Sequence, residues 1–96
     1  MTEKELRGYI LDFLKRVYPA KVEELNVIAT FYQYWTDTQI RRTLAYLADK
    51  GYVDIEEKPH PVLKRKKLKF YRLTARGIDL LEGTISDDGI ILPEED

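Results

Sequence analysis

Cysteine is absent from the 96-residue sequence, and histidine occurs only once, as His60. Without thiols the chain can form neither disulfides nor thiolate metal sites, and a single imidazole cannot build a metal site without help from carboxylates. We therefore expect no metal and no cofactor. Only five glycines and four prolines stand beside 44% apolar and 34% charged residues, a balance that excludes fibrous and disordered chains and predicts one globular domain.

Long apolar runs are missing as well. None approaches the ~18 residues that a membrane span needs, and the first residues alternate charge with apolar side chains where a signal peptide would have an apolar core. These features predict a cytoplasmic protein without a membrane partner. The sequence also lacks a glycine-rich phosphate loop and a Ser or Cys nucleophile beside a histidine, so it does not predict an enzyme.

Positive charge is concentrated in one stretch, KPHPVLKRKKLKFYRLTARG, from Lys58 to Gly77. The stretch holds eight Lys or Arg and no acid, although the formal net charge of the chain is -1. The segment after Gly77 carries seven acidic residues and no basic one. A run of like charge is often only a solvated face, so the elements around it must decide whether it also binds a partner.

The first third of the chain has the spacing of two helices. Thr2 and Glu5 form a capping-box pattern that starts the first helix near Glu3, and Pro19 ends it because proline cannot donate the next helical hydrogen bond. Gly8 should weaken this helix. Its expected inner face is Leu6, Tyr9, Ile10, Phe13, Leu14 and Val17.

A second helix is predicted from Val22 to Tyr32, followed by the aromatic stretch FYQYW. We expect that stretch to pack as core or as a lid over a neighbouring helix, since it is too aromatic for a plain loop. A ligand pocket lined by these aromatic residues is the less favoured alternative. The expected inner stripe of the second helix is Leu25, Ile28, Ala29 and Tyr32.

The third helix, residues 36–50, begins at a second capping box formed by Thr36 and Gln39, and Gly51 ends it. Its expected inner stripe is Ile40, Leu44 and Leu47. Steps of 100° per residue place a different set on the outer face and its two edges. That set is Thr38, Gln39, Arg41, Arg42, Ala45, Tyr46 and Asp49.

After Gly51 the pattern changes from helical to alternating. YVDIEEK and KLKFYRLT read as two strands, and PHPVLKRKK joins them into a hairpin with a basic tip. Arg72 should lie on the outer face within reach of Asp54 or Glu56, with Leu68 and Phe70 adding apolar surface there. Thr74 is expected to cap a short fourth helix, ARGIDLLEG.

This order of elements resembles the winged helix-turn-helix domain of small prokaryotic transcriptional regulators. TDTQIRRTLAYLADKGYVDI is similar to the recognition helix and first wing strand, and FYRLTARGIDLLEG to the closing strand and the helix after it. The implied fold is α+β, with a three-helix core, a two-stranded β-hairpin wing and a short C-terminal helix. More loosely, LTARGIDLLEGTISDDGI looks like small winged-helix proteins of Mu-like prophages.

One spacing departs from the pattern of a compact helix-turn-helix. There, the Leu of the second helix precedes the first inward residue of the recognition helix by about eleven positions, whereas Leu25 and Ile40 are fifteen apart. The difference requires an extra helical turn or a longer loop. It puts the tight turn and the orientation of the third helix in doubt.

The resemblance implies sequence-specific binding of double-stranded DNA, with helix 36–50 in the major groove and the basic wing 58–69 on the backbone. Arg pairs well with guanine and Gln with adenine, while wing cations add affinity by releasing counterions. Such a protein would regulate transcription at the nucleoid. The expected DNA-binding residues are Thr38, Gln39, Arg41, Arg42, Tyr46, Lys58, Lys64, Arg65, Lys66, Lys67 and Lys69.

The alternative is a winged-helix module for protein–protein interaction or assembly that does not bind DNA. The acidic C-terminal tail, residues 84–96 beyond a domain of residues 1–83, keeps this alternative open because it carries four aliphatic residues. Ile85 to Leu92 is expected to form a small hairpin that docks on the first helix or on a second chain. We expect a homodimer through these parts, and a tail that covers the basic wing is the less favoured role.

Overall fold

Four helices and a three-stranded antiparallel sheet make up residues 2–94, the part of the chain that the computed structural model describes. The order is that of the predicted α+β winged helix, with one additional strand. The elements are α1 (Glu3–Val17), β1 (Val22–Glu23), α2 (Glu24–Phe31), α3 (Asp37–Asp49), β2 (Val53–Pro59), β3 (Lys67–Leu73) and α4 (Ala75–Leu81).

Both predicted capping boxes are confirmed. The Thr2 N–H donates to Glu5 Oε1 at 3.0 Å while the Glu5 N–H donates to Thr2 Oγ1 at 3.3 Å, which satisfies free donors at the start of α1. Thr36 and Gln39 repeat the exchange at the start of α3, at 3.0 and 3.1 Å. Gly51 then ends the third helix with φ of 81°, a left-handed conformation that glycine adopts without a steric penalty.

The core lies between α1, α3 and the sheet. The predicted inner stripe of α3 is confirmed, but the buried face of α1 is rotated from the expected one. Tyr9 and Val17 are partly exposed and Leu11 is buried in their place, because α4 also packs on α1. Side chains with no exposed surface on these two helices are Leu6, Ile10, Leu11, Leu14, Ile40, Leu44 and Leu47.

The second helix is shorter than predicted, because Val22 and Glu23 form strand β1. They pair with Tyr71 and Phe70 of β3, so the sheet has the order β1-β3-β2 and three strands where two were expected. The reason is that β2 satisfies only one edge of β3, and the backbone groups on its other edge also need partners.

The inner face of α2 was largely assigned wrongly. Leu25 is 58% exposed, Tyr32 is 70% exposed and Ala29 is also exposed, whereas Val27 joins the correctly assigned Ile28 in the core. Counted from Ile28, the distance to Ile40 is twelve residues, close to the spacing of a compact helix-turn-helix. The apparent excess of one turn therefore came from the choice of Leu25 as the inward residue.

The aromatic stretch divides between core and surface. Trp35 is buried, and the Phe31 ring packs edge-on against it with centroids 6.2 Å apart. Tyr32 and Tyr34 remain exposed. The expectation of core packing therefore holds for two positions of this stretch and fails for two others.

The two strands of the wing pair in register from Val53↔Leu73 to Pro59↔Lys67. Arg72 donates to Asp54 across the strands at 2.8 Å, as predicted. The Thr74 hydroxyl caps α4 by accepting from the Gly77 N–H at 3.1 Å. In that helix Leu80 is buried, while Ile78 and Leu81 are only partly buried.

The segment after α4 packs on α1 of its own chain. The expected hairpin is absent within residues 85–92, which instead make one turn at Asp88–Gly89 and form no paired strand. The Ile91 N–H donates to the Lys4 carbonyl at 3.1 Å, and Arg7 Nη1 donates to the Gly89 carbonyl at 2.8 Å. Ile90 enters the core between these two contacts.

Asp87 attaches the same segment to the end of α3. Its carboxylate accepts from the Tyr52 hydroxyl at 2.7 Å and from the Gly89 N–H at 2.8 Å, and it lies 3.2 Å from Lys50 Nζ. The hydrogen bond from Tyr52, followed by that from Gly89, lowers the pKa of Asp87. The described part of the acidic segment therefore lies against α1 and the end of α3 rather than over the wing tip.

We predict that Gly8→Ala destabilises the protein, although alanine is the better helix former by about 1 kcal/mol. A Cβ on Gly8 would lie 1.8 Å from the Ile91 carbonyl oxygen, a separation no contact tolerates, so the C-terminal segment must move away. Urea unfolding measures the change, and hydrogen exchange at Ile90 and Ile91 reports whether the segment is released. An increase in stability without faster exchange would contradict the docked segment.

Candidate nucleic-acid interface

The outer face of α3 is exposed as its spacing predicts. Thr38, Arg41, Arg42, Ala45 and Asp49 all lie on the surface, opposite the buried stripe that packs on α1. The side chain of Ala45, in the middle of this face, is small, so another surface can approach the helix closely there. The face presents guanidinium groups on a rigid element, which suits recognition of planar hydrogen-bonding edges.

Arg42 forms an ion pair with Glu3 at the start of α1. Both side chains remain substantially exposed, 62% for Arg42 and 38% for Glu3. Exposed ion pairs of this kind contribute only about 0–1 kcal/mol to stability. Glu3 therefore orients the guanidinium without preventing its transfer to a stronger acceptor.

Arg41 belongs to a cluster of polar side chains that extends from the interior to the surface and joins α3 to the wing. Its Nε donates to Glu24 at 3.2 Å and its Nη1 to Asp37 at 3.3 Å. Glu24 also accepts from the hydroxyl of buried Tyr71 on β3, at 2.6 Å. Burial, together with that hydrogen bond, raises the pKa of Tyr71, so its hydroxyl keeps its proton.

Gln39 and Tyr46, both predicted to contact DNA, have other partners in the structure. The Gln39 carboxamide oxygen completes the helix cap, which leaves its NH₂ group as the part that can donate outward. The Tyr46 ring lies under the Arg7 guanidinium, 3.8 Å from its central carbon. Tyr46 therefore sits on the edge of α3 that faces α1 and the C-terminal segment.

The register of the wing separates its cations onto two faces. Lys67 and Lys69 share the face of β3 that carries Tyr71 and Leu73, because side chains two residues apart point the same way. Lys58 lies on the opposite face, 3.5 Å from a Glu56 carboxylate oxygen. The predicted wing contacts therefore do not form a single surface.

Three cations occupy the turn of the wing: Lys64, Arg65 and Lys66 are all exposed. None of the carboxylates of residues 2–94 lies within ion-pair distance of any of them. Lys67, one residue further on, is 3.8 Å from Glu57, a long and exposed contact. The turn thus carries positive charge that no acid of the described chain neutralises.

A groove runs between the wing and the helices. Arg41 and Leu25 lie on its helical side, and Lys66, Lys67 and Lys69 lie on its wing side. Glu23 and Glu24 form part of its floor near the helices. One arginine of α3 and three lysines of the wing therefore line one common groove.

Metal-ligand clusters and membrane-spanning helices are both absent from residues 2–94. Within that range, no three His, Cys, Asp or Glu side chains cluster closely enough to hold a metal ion. A helix both long enough and apolar enough to cross a bilayer is likewise lacking among the described elements.

Sequence reasoning missed the carboxylates that hold the two arginines. Glu3 is 39 positions from Arg42 and Glu24 is 17 positions from Arg41, so no local spacing links either pair. The sequence held a partial signal. Glu3 and Glu24 are the first residues of their helices, and acidic side chains at such helix starts can reach a third helix that packs nearby. The ring of His60 also organises the wing tip by accepting from two backbone N–H groups, a role that no local spacing indicates.

Comparison with solved structures identifies a similar fold. The crystal structure of PadR from Bacillus subtilis in complex with operator DNA superposes with a TM-score of 0.61 at 20% sequence identity. The match covers 95% of this chain and 54% of the PadR chain, so this chain spans about half of PadR. The fold is a winged helix. Family models give no match to the sequence, and neither do curated proteins.

We predict that Tyr71→Phe lowers the free energy of unfolding by about 1.5–3 kcal/mol, because the Glu24 carboxylate loses a hydroxyl donor at a mostly buried site. Tyr34→Phe is the matched control, since Tyr34 is 66% exposed and its hydroxyl makes no hydrogen bond within residues 2–94. Urea denaturation compares the two variants. Equal stability of both would mean that the cluster around Glu24 does not hold the wing to the helices.

Proposed function

We propose that this chain is a sequence-specific double-stranded DNA-binding protein that regulates transcription. The observation that carries the proposal is the groove in which Arg41 of α3 faces Lys67 and Lys69 of the wing, next to a tip whose cations have no acidic partner in residues 2–94. PadR, which has the same fold, was solved on operator DNA. Duplex DNA has the charge and the two grooves that such an arrangement requires.

In this proposal α3 enters the major groove and the wing follows the backbone. Arg42 and Arg41 are the residues suited to base edges, since a guanidinium pairs with guanine through two hydrogen bonds. Thr38 and the free NH₂ group of Gln39 lie near the start of the same face. The wing residues that meet phosphates are Lys64, Arg65, Lys66, Lys67 and Lys69.

Two of the residues expected to contact DNA have minor roles in the proposed interface. Lys58 lies on the outer face of the hairpin with Glu56, and Tyr46 lies beneath Arg7. Both side chains point away from the groove between wing and helices, so we assign them to flanking backbone contacts or to support of α3. The narrower kinship with Mu-like prophage proteins, and a location at the nucleoid, remain predictions.

In the free protein, the carboxylates of Glu3 and Glu24 would bind the arginines that acceptors on DNA bind in the complex. Each forms an ion pair with an arginine of α3. When a duplex binds, the exposed Arg42–Glu3 pair exchanges for contacts with phosphates or base edges at a cost of about 0–1 kcal/mol. The arginines are therefore ordered before DNA arrives, which reduces the entropy lost on binding.

We predict that replacing Lys64, Arg65, Lys66 and Lys67 by Ala weakens binding to all duplexes alike. The slope of log affinity against log salt should fall by about 0.9 for each phosphate contact removed. Folding stability should hardly change because all four side chains are exposed. Fluorescence anisotropy at several salt concentrations measures the slope, and urea unfolding provides the stability.

Arg42→Ala serves as the contrasting variant. Loss of one base contact should remove about 1–3 kcal/mol of discrimination between sequences and change the salt slope by at most one contact. Leu44→Ala, its neighbour on the buried face, should instead cost about 2–5 kcal/mol of folding stability. If the wild-type chain binds no duplex with a measurable salt dependence, the proposal is wrong and the protein-interaction module is favoured.

We also propose a homodimer, since two linked half-sites raise affinity well above that of one. The C-terminal segment lies on α1 of its own chain and leaves Ile91 about half exposed beside that helix. Tyr9, the residue after Gly8 on α1, is also partly exposed. These two side chains supply apolar surface for a second copy, in agreement with the sequence-based expectation for helix one and the tail.

The dimer is tested by sedimentation velocity. Wild-type protein should sediment as a dimer at micromolar concentration, and Ile91→Lys should shift it to a monomer because two buried ammonium groups would face each other. Leu25→Lys is the matched control, since Leu25 is as exposed but lies on α2 beside the wing. A monomeric wild type, or equal dissociation of both variants, would rule out this interface.

A further inference from the structure

Two apolar side chains project from the tip of the wing. Val62 is 76% exposed and Leu63 is 49% exposed, and they are adjacent in the chain. Single exposed apolar residues are common on protein surfaces, but an adjacent pair at the far end of a hairpin, with most of Val62 and half of Leu63 exposed, adds little to the core of its own fold. The pair is therefore available to a partner.

Hydrogen bonds hold the backbone of this pair in place. Nδ1 of His60 accepts from the Val62 N–H at 3.1 Å and from the Leu63 N–H at 2.9 Å. The His60 N–H donates to the Lys66 carbonyl at 2.9 Å, and the Lys66 N–H donates to the Leu63 carbonyl at 3.0 Å. The tip is thus a closed and ordered turn, so little conformational entropy is lost when its side chains insert into another surface.

The charges around the pair indicate a partner that carries negative charge at its rim and offers apolar surface further in. Lys64, Arg65 and Lys66 follow directly, and the stretch from Lys58 to Gly77 contains no acid. The minor groove of duplex DNA is such a partner, because phosphates line its rims while sugars and base steps form its walls and floor. A lipid surface fits less well, since peripheral membrane binding uses a larger apolar face than two side chains.

The length of the hairpin is sufficient to reach that groove. The paired strand β2 runs from Val53 to Pro59, which at about 3.3 Å for each residue makes the wing roughly 20 Å long. The major groove is about 12 Å wide. A wing beside a helix in the major groove can therefore cross one phosphate backbone and bring its tip to the adjacent minor groove.

We propose that Val62 and Leu63 form an apolar wedge that enters the minor groove, partly unstacks a base step and bends the bound duplex. This inference rests on the proposed DNA-binding function and extends it, because it assigns part of the recognition to the deformability of DNA. Steps that unstack easily, such as TA and CA, would then be preferred beneath the wing without any hydrogen bond to a base.

The test is the double variant Val62→Ser with Leu63→Ser, which keeps every wing cation. Energy transfer between dyes at the two ends of a duplex measures bending, and 2-aminopurine placed at the step beneath the wing reports unstacking by increased fluorescence. The wild type should bend the duplex and raise this fluorescence. The serine variant should lose both effects and bind about tenfold more weakly, with an unchanged salt slope.

Val62→Ile with Leu63→Met is the matched control and should retain bending, since it keeps the apolar surface. If the wild type binds DNA but the serine variant bends it equally and binds it equally, the wedge is wrong and the proposed function stands. If the wild type binds no duplex, both fail. Binding to vesicles of anionic phospholipid that depends on Val62 and Leu63, without an effect on DNA bending, would overturn the wedge in favour of a membrane surface.

Discussion

The Glu24 carboxylate joins the three parts of the molecule on which the proposed interface depends. Glu24 is the first residue of α2, its carboxylate accepts a hydrogen bond from the hydroxyl of Tyr71 in the sheet, and it pairs with Arg41 on the outer face of α3. Because the Tyr71 bond is short, partly buried and charge-assisted, it is the stronger of the two contacts. The wing and α3 therefore hold a defined relative orientation, and Arg41 remains ordered at the groove between them.

The rest of the fold supports this arrangement from the opposite side. The C-terminal segment packs on α1, Asp87 holds the end of α3 through Lys50, and Arg7 covers Tyr46. These contacts place the described acidic residues of the segment away from the wing. The tip of the wing consequently keeps Lys64, Arg65 and Lys66 without an acidic partner in residues 2–94, although the net charge of the chain is close to zero.

The proposed interface combines three kinds of contact with different consequences. In the proposed function, the wing cations would supply affinity that depends on salt, and the arginines of α3 would supply discrimination between bases. The apolar pair at the tip would add a dependence on how easily the duplex deforms. Lys64 and Val62 are only two residues apart in the chain. The first two kinds of contact belong to the proposed function, and only the third depends on the further inference.

The sequence by itself determined the helix starts, the hairpin, the basic tip and the outer face of α3, because capping boxes and side-chain periods involve residues only a few positions apart. Only the tertiary structure decided which acids pair with Arg41 and Arg42, that Val22 and Glu23 form a third strand, and that Lys58 and Lys67 lie on opposite faces of the wing. Those features depend on contacts between residues distant in the chain, or on the pairing register of strands. Local patterns carry no information about such contacts, since chain closure and competition for buried hydrogen-bond partners decide them.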